Sequence, residues 1–238
     1  MSIAENLQQI RQKIDSAAAL SGRASSEVKL VAVSKTYPAG AVIEAMETGQ
    51  RLFGENRVQE ARDKAPLVSG EAEWHLIGSL QKNKAKYVPG LFSMVHSVDS
   101  FELAEALSLA MAKAIDAGKK LASPILDILI QVNLAGEEQK GGVREAGLLE
   151  LVRKAALLPH IKIKGLMIIP PYSENTEETR GYYKKLRALR ESIAAQDIPD
   201  VDMCELSMGM SGDYELAVEE GATLVRVGSA IFGKRDYA

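Results

Sequence analysis

The chain has 238 residues, 46 % of them apolar and 26 % charged, with a formal net charge of −3. That is an ordinary globular composition, long enough to bury roughly 70 % of its unfolded surface without staples, and with no long basic tract it carries no electrostatic footprint for nucleic acid or an anionic membrane. The single cysteine, Cys204, excludes an intramolecular disulfide; no run approaches the roughly 18 apolar residues of a membrane span, and Met1–Asp15 lacks the apolar core of a signal peptide, so the cytoplasm is the expected compartment.

Taken in chain order, an amphipathic helix over Ile3–Leu20 comes first, with Ile3, Leu7, Ile10 and Ile14 at helical spacing. Eight short apolar runs then read as strands: Lys29–Lys35, Arg51–Asn56, Trp74–Ser79, Met94–Asp99, Asp127–Asn133, Ile161–Pro170, Val201–Gly209 and Thr223–Gly228. Several are apolar almost throughout, as strands buried on both faces are. Helical patterns separate them, over Pro38–Gly49, Arg57–Lys64, Gln81–Tyr87, Ser100–Ala117, Arg144–Leu158, Asn175–Gln196 and Gly212–Glu220. Ala135–Gly142 reads as a loop after the fifth strand. Eight alternations predict an α/β fold, a single-domain (β/α)8 TIM-type barrel over residues 1–238 with an extra N-terminal helix. The competing architecture is an open doubly wound sheet.

In such a barrel, chemistry gathers at the C-terminal strand ends. Lys35 closes the first strand, and alternation places it on one face with Val31 and Val33. A lysine partly buried there has a lowered pKa and acts as a Schiff-base nucleophile. The same position equally suits a surface lysine paired with a carboxylate. The segment Ser207–Asp213 (SMGMSGD) joins two glycines, two serine hydroxyls and a helix start, which suit an anion or merely a capping loop. Gly228 and Ser229 follow the eighth strand, and the loops after strands seven and eight are the usual phosphate site of barrel enzymes. Arg226 shares parity with Leu224 and Gly228. Inside the barrel it needs a partner: an ion pair with Glu205 or Asp99, or the ring nitrogen of a cofactor. Asn56 reads either as a ligand contact or as the N-cap of the next helix. His75 reads as a wall residue, and His75, His96 and Cys204 lack metal-ligand spacing, so no metal is expected.

The blocks VAVSKTYP (31–38), FGENRVQEA (53–61), WHLIGSLQKNK (74–84), GLMIIPP (165–171) and LSMGMSGDYELAVEEGATLVRVGSAIFG (206–233) together resemble the pyridoxal phosphate homeostasis protein family, over essentially the whole chain. That family is similar to the barrel domain of alanine racemase and other fold-type III enzymes. The resemblance implies pyridoxal 5'-phosphate as cofactor, held as a Schiff base on Lys35. It implies that Ser207, Gly209, Gly228, Ser229 and Ser211 hold the phosphate. It further implies that Arg226 lies near the pyridine nitrogen, that Asn56 lies close to the cofactor, and that Met167 lies near the ring.

Three functions follow from these readings. The first is a cofactor-binding protein of vitamin B6 homeostasis, with no catalytic turnover of its own and with cofactor-dependent apo-enzymes as partners. The second is a fold-type III enzyme such as an amino acid racemase. Racemization needs acid–base groups on both faces of the ring, and alanine racemase draws one of them from a further domain for which residues after Gly233 leave no room here. The third is an aldolase using Lys35 on a sugar phosphate.

Overall fold

A computed structural model of the chain describes residues 2–137 and 141–233. Helix α1 (Ile3–Leu20) opens the chain, started by a capping box in which the Ser2 hydroxyl accepts the Glu5 N–H and the Glu5 carboxylate accepts the Ser2 N–H. Strands β1 (Lys29–Val33), β2 (Leu52–Glu55), β3 (Glu73–Leu76), β4 (Met94–Val98), β5 (Leu126–Gln131), β6 (Ile161–Met167), β7 (Val201–Ser207) and β8 (Leu224–Val227) follow. Each pairs in parallel with the next, and β8 returns to β1 through Val31↔Arg226 and Ala32↔Val227, closing the barrel. Closure leaves no unpaired strand edge. The open-sheet alternative is therefore excluded, and the expected (β/α)8 architecture holds.

The outer ring consists of α2 (Ala39–Glu47), α3 (Val58–Lys64), α4 (Phe101–Asp116), α5 (Glu145–Ala155), α6 (Thr176–Ala194), α7 (Tyr214–Glu219) and the short α8 (Ser229–Phe232). One expected helix differs: Gln81–Tyr87 folds as a 3-10 helix over Lys82–Tyr87. Its sequence, KNKAKY, buries only Ala85, so no apolar stripe with a period of 3.6 holds an α-helix to the barrel. In the loop expected over Ala135–Gly142, residues 138–140 lie outside the described residues, as do 234–238 at the C-terminal end.

Strand alternation divides the apolar residues into two sets. Ala32, Phe53, Trp74, Val95, Ile128, Leu166, Leu206 and Val225 face outward into the layer between strands and helices. Val31, Met94, Leu129, Met167 and Leu224, with Leu52 against them, fill the barrel's middle as a separate cluster. The bore is thus a packed core rather than a channel.

Helix α1 staples the seam between first and last strands. Its buried face is Leu7, Ile10, Ile14, Ala17 and Ala18. Asn6 donates to the Ile231 carbonyl at 2.8 Å, and just beyond the helix Arg23 donates to the carbonyls of Val218 and Ala222. Leu7 is fully buried. Replacing it with alanine should therefore cost about 2–5 kcal/mol; urea unfolding of Leu7→Ala measures this, and a loss near zero would show that α1 is an appendage.

Candidate functional site

A cleft of about 410 Å³ opens at the C-terminal mouth of the barrel. Among its lining residues are Lys35, Asn56, Ser211, Arg226, Gly228 and Ser229, so six of the nine expected site residues converge on one space. They come from the ends of β1, β2 and β8 and from the loop after β7. The remaining three are placed differently. Met167 is fully buried in the bore cluster beneath the cleft. Ser207 is fully buried, its hydroxyl bonded to Arg226 and His96. Gly209 lies in the floor of the β7 loop at φ +89°, where a Cβ would stand 2.5 Å from that of Ala217. Only glycine suits that combination of left-handed backbone and close helix approach.

Lys35 sits two residues beyond the end of β1, in a turn. The residues on either side of it are tied down by a buried ionic cluster on the outer face of the barrel. The Lys64 ammonium donates to the Ser34 carbonyl at 2.7 Å, to Glu55 Oε1 at 2.6 Å and to Glu60 Oε1 at 3.1 Å. The Ser34 hydroxyl also donates to Glu55 Oε1. Glu60 Oε1 accepts the N–H of Thr36, which holds a left-handed φ of 69°. So the backbone before and after Lys35 is fixed through one ammonium, and the lysine's direction of exit follows from it. Burial pushes the Glu55 carboxyl up, with the hydrogen bonds from Lys64 and Ser34 opposing that shift. Glu55 Oε2 is buried without a hydrogen-bond partner.

Asn56 is not a helix cap, since α3 begins at Val58 and no side chain caps it. Its backbone is pressed by Gly78, where a Cβ would stand 2.4 Å from the Asn56 carbonyl oxygen. The β7 loop is not a side-chain capping loop either. Asp213 turns back to accept the Met210 N–H at 2.6 Å, and it accepts the hydroxyl of buried Tyr183 at 2.7 Å. That brings Ser211 against the β8 end, where its Oγ accepts the N–H groups of Gly228 at 3.2 Å and Ala230 at 3.3 Å. Two backbone donors thus already converge on one oxygen at the rim of the cleft.

Arg226 is the electrostatic centre. It is only 4 % exposed, yet it makes no ion pair among the described residues. Glu205, one suggested partner, pairs with Lys29 at 2.7 Å instead. Arg226 Nη1 donates to Ser207 Oγ at 2.5 Å and Nη2 to the Ile168 carbonyl at 2.9 Å. Burial brings its pKa down to about 10, so it remains a cation at neutral pH. A cation in this setting, facing a cleft, creates a favourable place for an electron-rich acceptor.

The walls include Gly212, from the expected β7 loop segment, and residues that sequence reasoning did not single out: Ile77, Gly78, Ser79, Gln131, Ile169 and Met210. Gln131 carries a visible signal, a polar side chain with inward parity at the C-terminal end of β5. Ile169 and Met210 carry none, because an apolar residue past a strand end looks like any loop contact. Among the described residues no group of three His, Cys, Asp or Glu side chains is placed to hold a metal, and no helix is long and apolar enough to cross a membrane.

The chain is thus a parallel (β/α)8 barrel with a lysine, a buried arginine and converging amide donors at its C-terminal mouth. Residues 3–236 match the family model of the alanine racemase N-terminal domain, and the chain belongs to that family. It is 41 % identical over 238 residues to a protein of Aquifex aeolicus named pyridoxal phosphate homeostasis protein, covering all of both chains. It is similar to PipY of Synechococcus elongatus, solved with PLP bound: 38 % identity, TM-score 0.82, and coverage of 98 % of this chain and 100 % of that one. Its likeness to alanine racemase of Corynebacterium glutamicum, at 17 % identity and a TM-score of 0.64 over 62 % of that enzyme, is one of fold.

Replacing Lys64 with methionine leaves the Glu55 charge buried without its counterion. Near neutral pH the Lys64→Met variant should lose about 3–5 kcal/mol. Without the ammonium, burial pushes Glu55 further above its usual 4.5. Folded Glu55 then holds its proton to higher pH than unfolded Glu55, so the variant is relatively most stable below 4.5 and loses ground as pH rises. Urea denaturation across that range measures the slope; a deficit that does not grow with pH would show that the pair is unimportant.

Proposed function

We propose that this protein binds pyridoxal 5'-phosphate in the cleft, holds it on Lys35, and serves intracellular vitamin B6 homeostasis rather than turnover of a substrate. The observation that carries the reading is the buried Arg226, without an ion pair among the described residues, on the cleft that also receives Lys35. The residues present fit the cofactor. Bound pyridoxal 5'-phosphate supplies an aldehyde, which a primary amine holds as a Schiff base. Lys35 provides that amine on a pinned turn. Arg226 provides a guanidinium for the pyridine nitrogen and, as a permanent donor, keeps that nitrogen an unprotonated acceptor. The Ser211 hydroxyl and Ser229 provide donors for the phosphate, and the Gly228 and Ala230 amides, which donate to Ser211 Oγ, join them on exchanging that acceptor for a phosphate oxygen, with Gly209 and Ser207 shaping the loop and bore behind them. Asn56 borders the ring space, Met167 supports it from below, and Ile77, Ile169 and Met210 provide apolar walls.

The homeostasis names of close, full-length relatives favour a carrier over an enzyme, whereas the racemase likeness is one of fold alone. The same proposal takes residues 1–238 as one cofactor-holding domain, the cytoplasm as its location, and apo-enzymes that need the cofactor as its recipients.

On addition of pyridoxal 5'-phosphate the protein should turn yellow, and borohydride should trap one cofactor mass on Lys35, mapped by mass spectrometry. Lys35→Ala should lose the absorbance band and the trapped mass completely. A wild type that gains neither would overturn the reading, and D-amino acid production abolished in Lys35→Ala would replace the carrier by an enzyme.

A further inference from the structure

Behind Arg226, a line of hydrogen-bonded side chains runs through the bore to the opposite mouth of the barrel. Arg226 Nη1 lies 2.5 Å from Ser207 Oγ, and Ser207 Oγ lies 2.8 Å from His96 Nδ1. His96 Nε2 lies 2.9 Å from His75 Nδ1, and His75 Nε2 lies 3.3 Å from Glu73 Oε1. Ser207, His96 and His75 are buried, while Glu73 stands at the start of β3 with its side chain 55 % exposed. The members come from β8, β7, β4 and β3, all with inward parity, so the line crosses the bore rather than following one strand.

The two ends determine the direction of every proton between them. A guanidinium only donates and a carboxylate only accepts. With both imidazoles neutral, Glu73 must receive the Nε2–H of His75. His75 Nδ1 is then an acceptor and takes the Nε2–H of His96. His96 Nδ1 is in turn an acceptor and takes the Ser207 hydroxyl proton. The Ser207 oxygen is left with its lone pairs toward Arg226. Burial, reinforced by the nearby Arg226 cation, holds His96 well below the ordinary histidine range and so keeps it neutral.

We propose that Glu73, His75, His96 and Ser207 form a one-directional donor chain that fixes Arg226 in its pose on the cleft, and that His96 and Glu73 are positioning residues for the cofactor ring. This rests on the binding proposed above. The chain's physical effect is twofold. It commits the Ser207 proton away from Arg226, so the guanidinium always finds an acceptor there, and with the Ile168 carbonyl that holds its plane. It also links the buried cation to an exposed carboxylate by aligned dipoles, which polarise one another in a low-dielectric interior.

The chain's directionality is read in the ligand-free protein by two-bond 1H–15N correlation of uniformly 15N-labelled histidines. Both His75 and His96 should be neutral Nε2–H tautomers at neutral pH. Glu73→Ala removes the terminal acceptor at an exposed position, far from the cleft, and should release His75 into a tautomer mixture. Glu73→Gln retains an acceptor oxygen and should restore the wild-type pattern. Pyridoxal 5'-phosphate affinity, measured by absorbance titration, should weaken about two- to thirty-fold in Glu73→Ala and more in His96→Phe, with Glu73→Gln between wild type and Glu73→Ala. An Nδ1–H tautomer or an imidazolium at either histidine of the wild type would overturn the chain. So would a Glu73→Ala variant whose histidine resonances and affinity both match wild type. If the wild type binds no pyridoxal 5'-phosphate, the proposed function fails by itself, and the tautomer pattern still decides whether the chain exists.

Discussion

A guanidinium enclosed in the upper bore of a closed barrel, with no carboxylate against it, is a demanding thing for a protein to hold. Arg226 is bonded to a serine hydroxyl and a backbone carbonyl and borders the cleft, with Tyr183 and Asp213 near enough to favour its charge without pairing with it. Desolvating a charge costs several kcal/mol unless donors and acceptors are well matched, so the neighbourhood is arranged around this one group. Ser207 and Ile168 take two of its donors, His96 and His75 complete the serine's bonding, and Glu205 is engaged by Lys29 and not by Arg226. The consequence is a buried cation held in place at the cleft by its own hydrogen bonds.

The amine of the site is governed separately. Lys35 and Arg226 stand on adjacent strands, but their supports lie on opposite sides of the barrel wall. Arg226 is oriented from within the bore, whereas the Lys35 turn is held from outside by Lys64 between Glu55, Glu60 and Ser34. Each support is a small polar cluster that packing alone would not produce. The two sets share no side chain, so each component of the cleft can be perturbed without the other.

Much of this was legible in the sequence because it depends on periodicity. Eight apolar runs with longer stretches between them indicate a closed α/β barrel, and strand parity alone puts Val31, Val33 and Lys35 on one face of their strand and Leu224 and Arg226 on one face of theirs. The strand ends themselves were read too long: β1 stops at Val33 and β8 at Val227, so Lys35, Gly228 and Ser229 sit just past the ladder while Arg226 stays within it. What stayed hidden are pairings across the bore. Ser207 and His96 are 111 residues apart, and parity says that each points inward without saying that they meet. Ser207 therefore read as a phosphate ligand by position in its loop, although its hydroxyl turns into the bore. The Gln81–Tyr87 segment misled for a local reason, since a run of alternating lysines can look helical while offering no apolar face.

The seam between β1 and β8 has a consequence for biosynthesis. The amine follows the first strand and the guanidinium lies in the last, and the two are brought together through Val31↔Arg226 and Ala32↔Val227. A nascent chain still emerging from the ribosome has its lysine early and its arginine last. Until the final strand docks and α1 closes over the join, the cleft that Lys35 and Arg226 line does not exist. The cleft is thereby a property of finished molecules, and any ligand that binds in it would selectively stabilise the closed ring over a partly assembled one.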